Sequence, residues 1–313
     1  MYKLDKETKE RILTHLLMGV SMRATAQSVG CSFNAVARFQ ADAGVACDAY
    51  HKEYVRGIQG KRFIECDEVW AFIYAKERNL PNAKSPPPNA GNVWMWTAID
   101  SDSRLMISYL PSEERSEAPA HKLMADLASR LVDPPEIYTD GLPAYIDAVQ
   151  KSFGENVNFG QLVKDFERGK PPKPQDPRYK YTPTRVKTVS KRVISGKPNV
   201  TRLGTSHVER SNLTMRMAMR RYTRLTNAHS KRIEAHMALV HTFFFWYNFV
   251  RPHMSLSKGR NKVTPAMAAG LATEPVTLGE MVDMIEAAKP PPKKPGPKVG
   301  TVYFPRKKRS RRW

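Results

Sequence analysis

Three carboxylates carry the chemistry that this sequence offers. Asp67 lies within RFIECDEVWAFIY (62–74), an otherwise apolar run in which acids are the anomaly. Asp140 follows Ile137-Tyr138-Thr139 and precedes Gly141, at the kind of strand end where α/β sheets present ligands. Glu209 stands near the start of the helical string SHVERSNLTMRMAMRR (206–221). Two aspartates on neighbouring strands and a glutamate on a helix beside them can surround two hard cations, because Mg²⁺ takes oxygen ligands and retains waters and phosphate oxygens. Such a pair, about 4 Å apart, activates a nucleophile and stabilises the leaving oxygen of an in-line phosphoryl transfer. Taken singly, each acid has a plainer use: Asp67 as a buried hydrogen-bonded acid, Asp140 as a turn residue, Glu209 as a first-turn acid favoured by the helix dipole. Spacing alone does not choose between these uses.

The elements that must position the acids read as α/β. Residues 62–74 predict a long strand buried on both faces, 93–100 and 105–110 a hairpin around Ser101-Asp102-Ser103, 118–131 a helix and 136–139 a short strand. That order implies a mixed sheet, with the proline-laden 76–92 as a loop. Alternation along the first strand places Glu65 on the side of Asp67 and Glu68 on the other, so parity sets aside only Glu68. On the later helix Glu209, Leu213, Arg216 and Arg220 recur along one face, where the arginines either follow a DNA backbone or are simply solvated. His207, two positions before Glu209, either belongs to the site or orients the backbone. Upstream, the apolar pattern predicts helices over 7–18, 22–29 (capped by Ser21) and 33–43, with Gly30 permitting the turn between the last two. This is a helix-turn-helix layout, in which Ser32, Asn34 and Arg38 face outward near the start of a recognition helix.

Three strings then resemble, in order and position, the signatures of bacterial insertion-sequence transposases with a ribonuclease-H-like DDE core: CDEVW (66–70), TDGLPAY (139–145) and HVERSNLTMR (207–216). The pattern is that of the group with D-G-x-P-x-Y and H-x-E-R-x-N-L-x-x-R motifs, here Asp140, Gly141, Pro143 and Tyr145, then His207, Glu209, Arg210, Asn212, Leu213 and Arg216. YNFVRPHMSL (247–256) and TPAMAAGL (264–271) resemble the segment that closes such cores, so the likeness covers about 60–271. The resemblance implies that Asp67, Asp140 and Glu209 are the catalytic and metal-binding triad, holding two Mg²⁺ ions for which Mn²⁺ can substitute, and it selects Asp67 over Glu65. It implies a transposase that binds element ends and cleaves a strand at each. The freed 3′ hydroxyl then attacks target DNA, with no covalent protein intermediate. The alternative is an inactive or domesticated DNA-binding regulator of the same fold, and a more distant one is a plain nuclease; the intact acids favour the enzyme. The chain departs from some relatives in lacking an N-terminal cysteine zinc module. It also has a long gap between Asp140 and Glu209, filled by a basic stretch over 164–202.

Charge supports a polyanionic partner. The 313 residues carry 51 Lys plus Arg against 30 Asp plus Glu, a net charge of +21. Residues 61–163 hold 10 basic and 15 acidic side chains, whereas 164–232 hold 19 and 4. An acidic, strand-rich block beside a basic one suits a site that gathers cations and holds nucleic acid next to them. We read 164–202 as a DNA-facing insertion with a strand pair around 179–194, in which Lys187, Lys191 and Arg192 meet phosphates, as do Arg210, Arg216 and Arg220. The end of the chain, 289–313, has ten basic residues, no acid and six prolines, and is expected to be a disordered DNA-attracting tail. The expected organisation is an all-α helix-turn-helix domain (1–58), a ribonuclease-H-like mixed-sheet catalytic domain (59–272) and a C-terminal segment (273–313). Expected partners are double-stranded DNA, as element ends and target, and further copies of the chain on that DNA. Three cysteines without a C-x-x-C pair fit a reducing cytoplasm, and the apolar segment 237–250 is too short to span a bilayer. A soluble, nucleoid-associated protein is expected.

Overall fold

The computed structural model describes residues 4–168, 184–223 and 226–289. Its centre is a six-stranded mixed sheet: β1 (Phe63–Ile73), β2 (Gly91–Asp100), β3 (Met106–Ser112), β4 (Glu136–Asp140), β5 (Asn158–Arg168) and β6 (Thr184–Ser195), in the order β3-β2-β1-β4-β5-β6. β1 and β4, and β4 and β5, run parallel; the other neighbouring pairs are antiparallel. β1 is central and buried on both sides, which accounts for its unbroken apolar run. Two helices, α4 (Glu117–Arg130) and α5 (Ala144–Phe153), pack together, and α6 (Ser206–Ala218) packs on β1 and β2. Successive β1 residues show that α5 and α6 lie on opposite faces, since Asp67 meets Asn212 of α6 while Glu68 meets Tyr145 of α5. This arrangement is compatible with the ribonuclease-H-like core that the sequence resemblance implies.

The strand pair expected around 179–194 is only partly as read. β6 begins at Thr184, and its partner is β5, ten residues and more upstream, which the sequence pattern did not mark as a strand. Gly160 and the charged Lys164, Asp165 and Glu167 break the alternation of β5, so only pairing with β4 and β6 defines it. Residues 169–183 lie outside the described residues, as does the tail from 290 onward.

Three helices precede the sheet: α1 (Lys6–Leu17), α2 (Met22–Val29) and α3 (Phe33–Tyr54). Ser21 and Ser32 cap α2 and α3, and Gly30 takes the left-handed conformation (φ 71°) between them. α3 continues eleven residues past the expected end at Ala43, because its second half buries Ala46, Cys47 and His51 against the rest of the molecule. It packs on α7 (Ile233–Phe245) so closely that a Cβ on Gly44 would stand 2.4 Å from the Cα of Ala238. The helix Leu278–Ala287 is tied to α1 by Lys6–Asp283 and Lys9–Glu286 pairs at 2.7 and 2.9 Å. One cluster of buried side chains therefore runs from Ile12 to Ile285, through the helical segment and the sheet alike.

After α7 the chain makes one wide turn, Trp246–Val250, that seats Asn248 against the sheet. The Asn248 amide donates to the Met106 carbonyl (2.9 Å) and its oxygen accepts from the Met106 amide (3.0 Å), so a fully buried side chain pairs the backbone at the start of the edge strand β3. Among the described residues, no helix is long and apolar enough to cross a membrane.

Candidate metal and nucleic-acid site

Parallel pairing of Cys66 with Thr139 sets the next residues, Asp67 and Asp140, side by side at the end of β4. One carboxylate oxygen each from Asp67, Glu68 and Asp140 lies within 4.8 Å of the others, an all-oxygen group suited to a hard divalent cation. Burial raises the Asp67 carboxyl to about 6, and the neighbouring Asp140 and Glu209 charges push it the same way. Asn212 of α6 opposes that rise by donating to Asp67 Oδ2 at 2.8 Å. Asp140 Oδ1 accepts the Leu142 amide (2.9 Å), leaving Oδ2 to receive the Arg115 guanidinium (2.8 Å).

Parity sets Glu68 on the face opposite Asp67, and so it is, but the exclusion fails at this point of the sheet. β4 stops at Asp140, and beyond the strand end Glu68 reaches the same space from the α5 side. There it accepts hydrogen bonds from Tyr145 Oη and from Arg115 Nε (2.8 Å), and burial lifts its carboxyl to about 7. Glu65, the same-side neighbour, has a different duty. Its buried carboxylate accepts the His207 and Val208 amides (2.7 and 3.0 Å) and contacts His207 Nδ1 (2.6 Å), capping the start of α6 from the sheet. His207 is thereby held against Glu65 through both its amide and its ring. Glu65→Ala is expected to destabilise the fold by about 2–4 kcal/mol, since two amides and an imidazole lose a charged partner; urea denaturation monitored by circular dichroism measures it.

Glu209 sits in the first turn of α6, about half exposed, outside the 4.8 Å group. Its Oε1 accepts from Thr205 Oγ1 (2.8 Å) and pairs with Lys164 of β5. The structure thus brings Asp67 and Asp140 together and places Glu209 close enough for its charge to act on Asp67. Sequence reasoning set Glu68 aside by parity and missed Arg115 and Lys164. Tyr145 and Asn212 lay inside the quoted motifs, whereas Arg115 and Lys164 carry no local signal.

The raised acid has a consequence for stability. Because the Asp67 carboxyl is higher in the folded protein than its ordinary 3.8, its contribution is fully present below that value and is lost as pH rises through about 6. Asp67→Asn is therefore expected to gain about 1–2 kcal/mol over wild type at pH 8, less than the full offset because solvent reaches the partly buried group, and nothing at pH 4. Paired urea titrations in a chelator at the two pH values check this.

The expected DNA contacts lie on several surfaces. Ser32, Asn34 and Arg38 are exposed at the start of α3, but the Ser32 hydroxyl accepts the Ala35 amide as a cap, and Arg38 Nε bonds the Asn34 carbonyl at 3.2 Å. Lys187, Lys191 and Arg192 are exposed on β6. Arg210 is exposed and Arg216 partly buried on α6. Arg220 departs from the expected helical face: α6 ends at Ala218, and Arg220 opens a short 3₁₀ turn, Arg220–Tyr222. Burial of Met219 and Tyr222, each 1% exposed, turns the chain inward there.

No family model matches the chain, and no curated protein matches it. Among solved structures it is similar to a Mos1 transposase paired-end complex with left transposon end, at 16% identity and TM-score 0.21 over 49% of this chain and 57% of that one. A pre-cleavage Mos1 transpososome matches at 13% identity and TM-score 0.20, over 51% and 60%. The Mos1 strand transfer complex matches at 12% and 0.22, over 77% and 78%. The chain thus spans less than two thirds of the length of the first two structures that it matches.

Proposed function

We propose that this chain is a DDE-type DNA transposase, in which Asp67, Asp140 and Glu209 hold two divalent ions at the site of DNA strand cleavage and strand transfer. The observation that carries the reading is the parallel β1–β4 register, which sets two carboxylates together at a strand end beside a helix bearing the third. Mg²⁺ or Mn²⁺ held by these oxygens supplies activation of a water or 3′ hydroxyl and stabilisation of the leaving oxygen. The chain's own groups do the rest. Asn212 orients Asp67 through its amide, and the Leu142 amide orients Asp140. Glu65 fixes α6 and with it Glu209. Exposed Lys187, Lys191, Arg210 and Arg220, with Arg216, offer cations to the phosphate backbone, Arg192 lies on the opposite face of β6 from Lys191, and Asn34 and Arg38 offer the groups that read adenine and guanine edges.

A specific observation favours a second reading, a binding-only relative: Arg115 and Lys164 already pair Asp140, Glu68 and Glu209. One experiment separates the two. The protein is incubated with labelled duplexes of the DNA flanking its gene, scanned for short inverted repeats, with Mg²⁺, Mn²⁺ or chelator. Metal-dependent nicks at the repeats, followed by joining of the 3′ ends to a second duplex, support the transposase. Tight binding with no nick in either metal leaves the regulator.

A further inference from the structure

Arg115 belongs to the loop between β3 and α4 and does two things at once. Its Nε end is fastened to Glu68 Oε2 at 2.8 Å, and Glu68 is itself buried and held by Tyr145. Its Nη2 end reaches Asp140 Oδ2, also at 2.8 Å, the one Asp140 oxygen not occupied by the Leu142 amide. The guanidinium lies 5.6 Å from the centre of the Trp94 ring. A planar cation therefore bridges two of the three carboxylates whose oxygens cluster within 4.8 Å, with one end anchored in the interior and the other at a carboxylate about one third exposed.

We propose that Arg115 is a resident counter-cation of this site, which yields Asp140 Oδ2 to a divalent ion and, still fastened to Glu68, presents the released N–H groups to a DNA phosphate. This rests on the metal-site reading above and deepens it. The physical ground is competition: a carboxylate oxygen that accepts a guanidinium N–H at 2.8 Å cannot also be a close ligand of a hard cation from the same side. Glu68 accordingly acts as a positioning residue, keeping the arginine within reach of the site after Asp140 is given up. Arginine suits the exchange because its fork offers carboxylate and phosphate the same geometry.

The test measures metal, not cleavage. Mn²⁺ binding to the full chain is followed by the electron paramagnetic resonance signal of the free ion, for wild type, Arg115→Gln, Arg115→Lys, Asp67→Asn and Asp140→Asn. Removing the competitor should tighten Mn²⁺ binding about five- to tenfold in Arg115→Gln, on the scale of one lost charge repulsion near a protein surface. Arg115→Lys keeps the charge but cannot bridge both carboxylates, and should tighten binding about two- to threefold. Mg²⁺ should also change the tryptophan emission of wild type, and this change should vanish in Trp94→Phe and in Arg115→Gln. Near-ultraviolet circular dichroism reports whether each variant is folded, and Arg115→Lys serves if Arg115→Gln is not. Mn²⁺ affinity unchanged or weakened in both arginine variants, with wild-type binding intact, overturns the proposal alone. Mn²⁺ bound equally by Asp67→Asn, Asp140→Asn and wild type overturns the metal-site reading and the proposal with it. Binding by Arg115→Gln where wild type binds none supports both.

Discussion

Asp140→Asn is expected to lower strand cleavage by about 10³-fold or more while leaving DNA affinity within a few-fold of wild type. The loss follows from removing several kcal/mol of metal-mediated charge stabilisation, each 1.36 kcal/mol being tenfold in rate. Asparagine keeps the side-chain oxygen that accepts the Leu142 amide, so the turn after β4 should survive and the effect can be read as chemistry. The same experiment decides the third acid. Glu209→Gln should match the Asp140 loss, because its carboxylate is exposed to incoming ligands once Lys164 turns away. Glu68→Gln should cost only about tenfold, since that carboxyl, lifted to about 7 by burial and bonded to Tyr145 and Arg115, acts through the arginine. Cleavage rates on a labelled end duplex, beside gel-shift affinities, give the comparison. Near-normal cleavage by Asp140→Asn would remove the assignment, and a larger loss in Glu68→Gln than in Glu209→Gln would exchange the third ligand.

Neutralising the cations of β6 should weaken binding to every DNA sequence and flatten its salt dependence, because phosphate contacts act through counterion release. The fold divides this effect unequally among the three residues. Register sets Lys191 opposite Leu162 and Val189 opposite Lys164, so Lys191 shares the hairpin face of Lys164, which points to Glu209. Arg192, the next residue, faces away. Lys191→Gln should therefore lower the slope of log affinity against log salt by about 1, and Arg192→Gln by almost nothing. The triple variant with Lys187→Gln should lower it by about 2 and cost at least tenfold in affinity at low salt. Anisotropy titrations of a random duplex at several salt concentrations measure each slope, and equal slopes for Lys191→Gln and wild type would place the DNA elsewhere.

Local pattern alone determined a good deal here. The apolar run of β1, the turn signals around the β2–β3 hairpin, and the caps Ser21 and Ser32 each report a short stretch of chain meeting its own backbone or the core. For that reason the sequence alone places Asp67 and Asp140 on strands and Glu209 on a helix. Periodicity carries such assignments because side-chain direction follows from the backbone repeat. It misled where an element ends. Parity set Glu68 aside, yet β4 stops at Asp140 and opens the space into which Glu68 reaches; helical spacing grouped Arg220 with Arg216, yet burial of Met219 and Tyr222 ends α6 between them. β5 gave no pattern of its own because a strand bearing Gly160, Lys164, Asp165 and Glu167 takes its conformation from neighbours on both sides. The partners of the acids were decided wholly by the tertiary structure. Arg115 lies 25 residues from Asp140, Lys164 lies 45 from Glu209, and Glu65 lies 142 from the helix start that it caps. No periodicity spans such distances; only the packing of loop, sheet and helix brings these charges together, and electrostatic pairing across them sets how the acidic site is held.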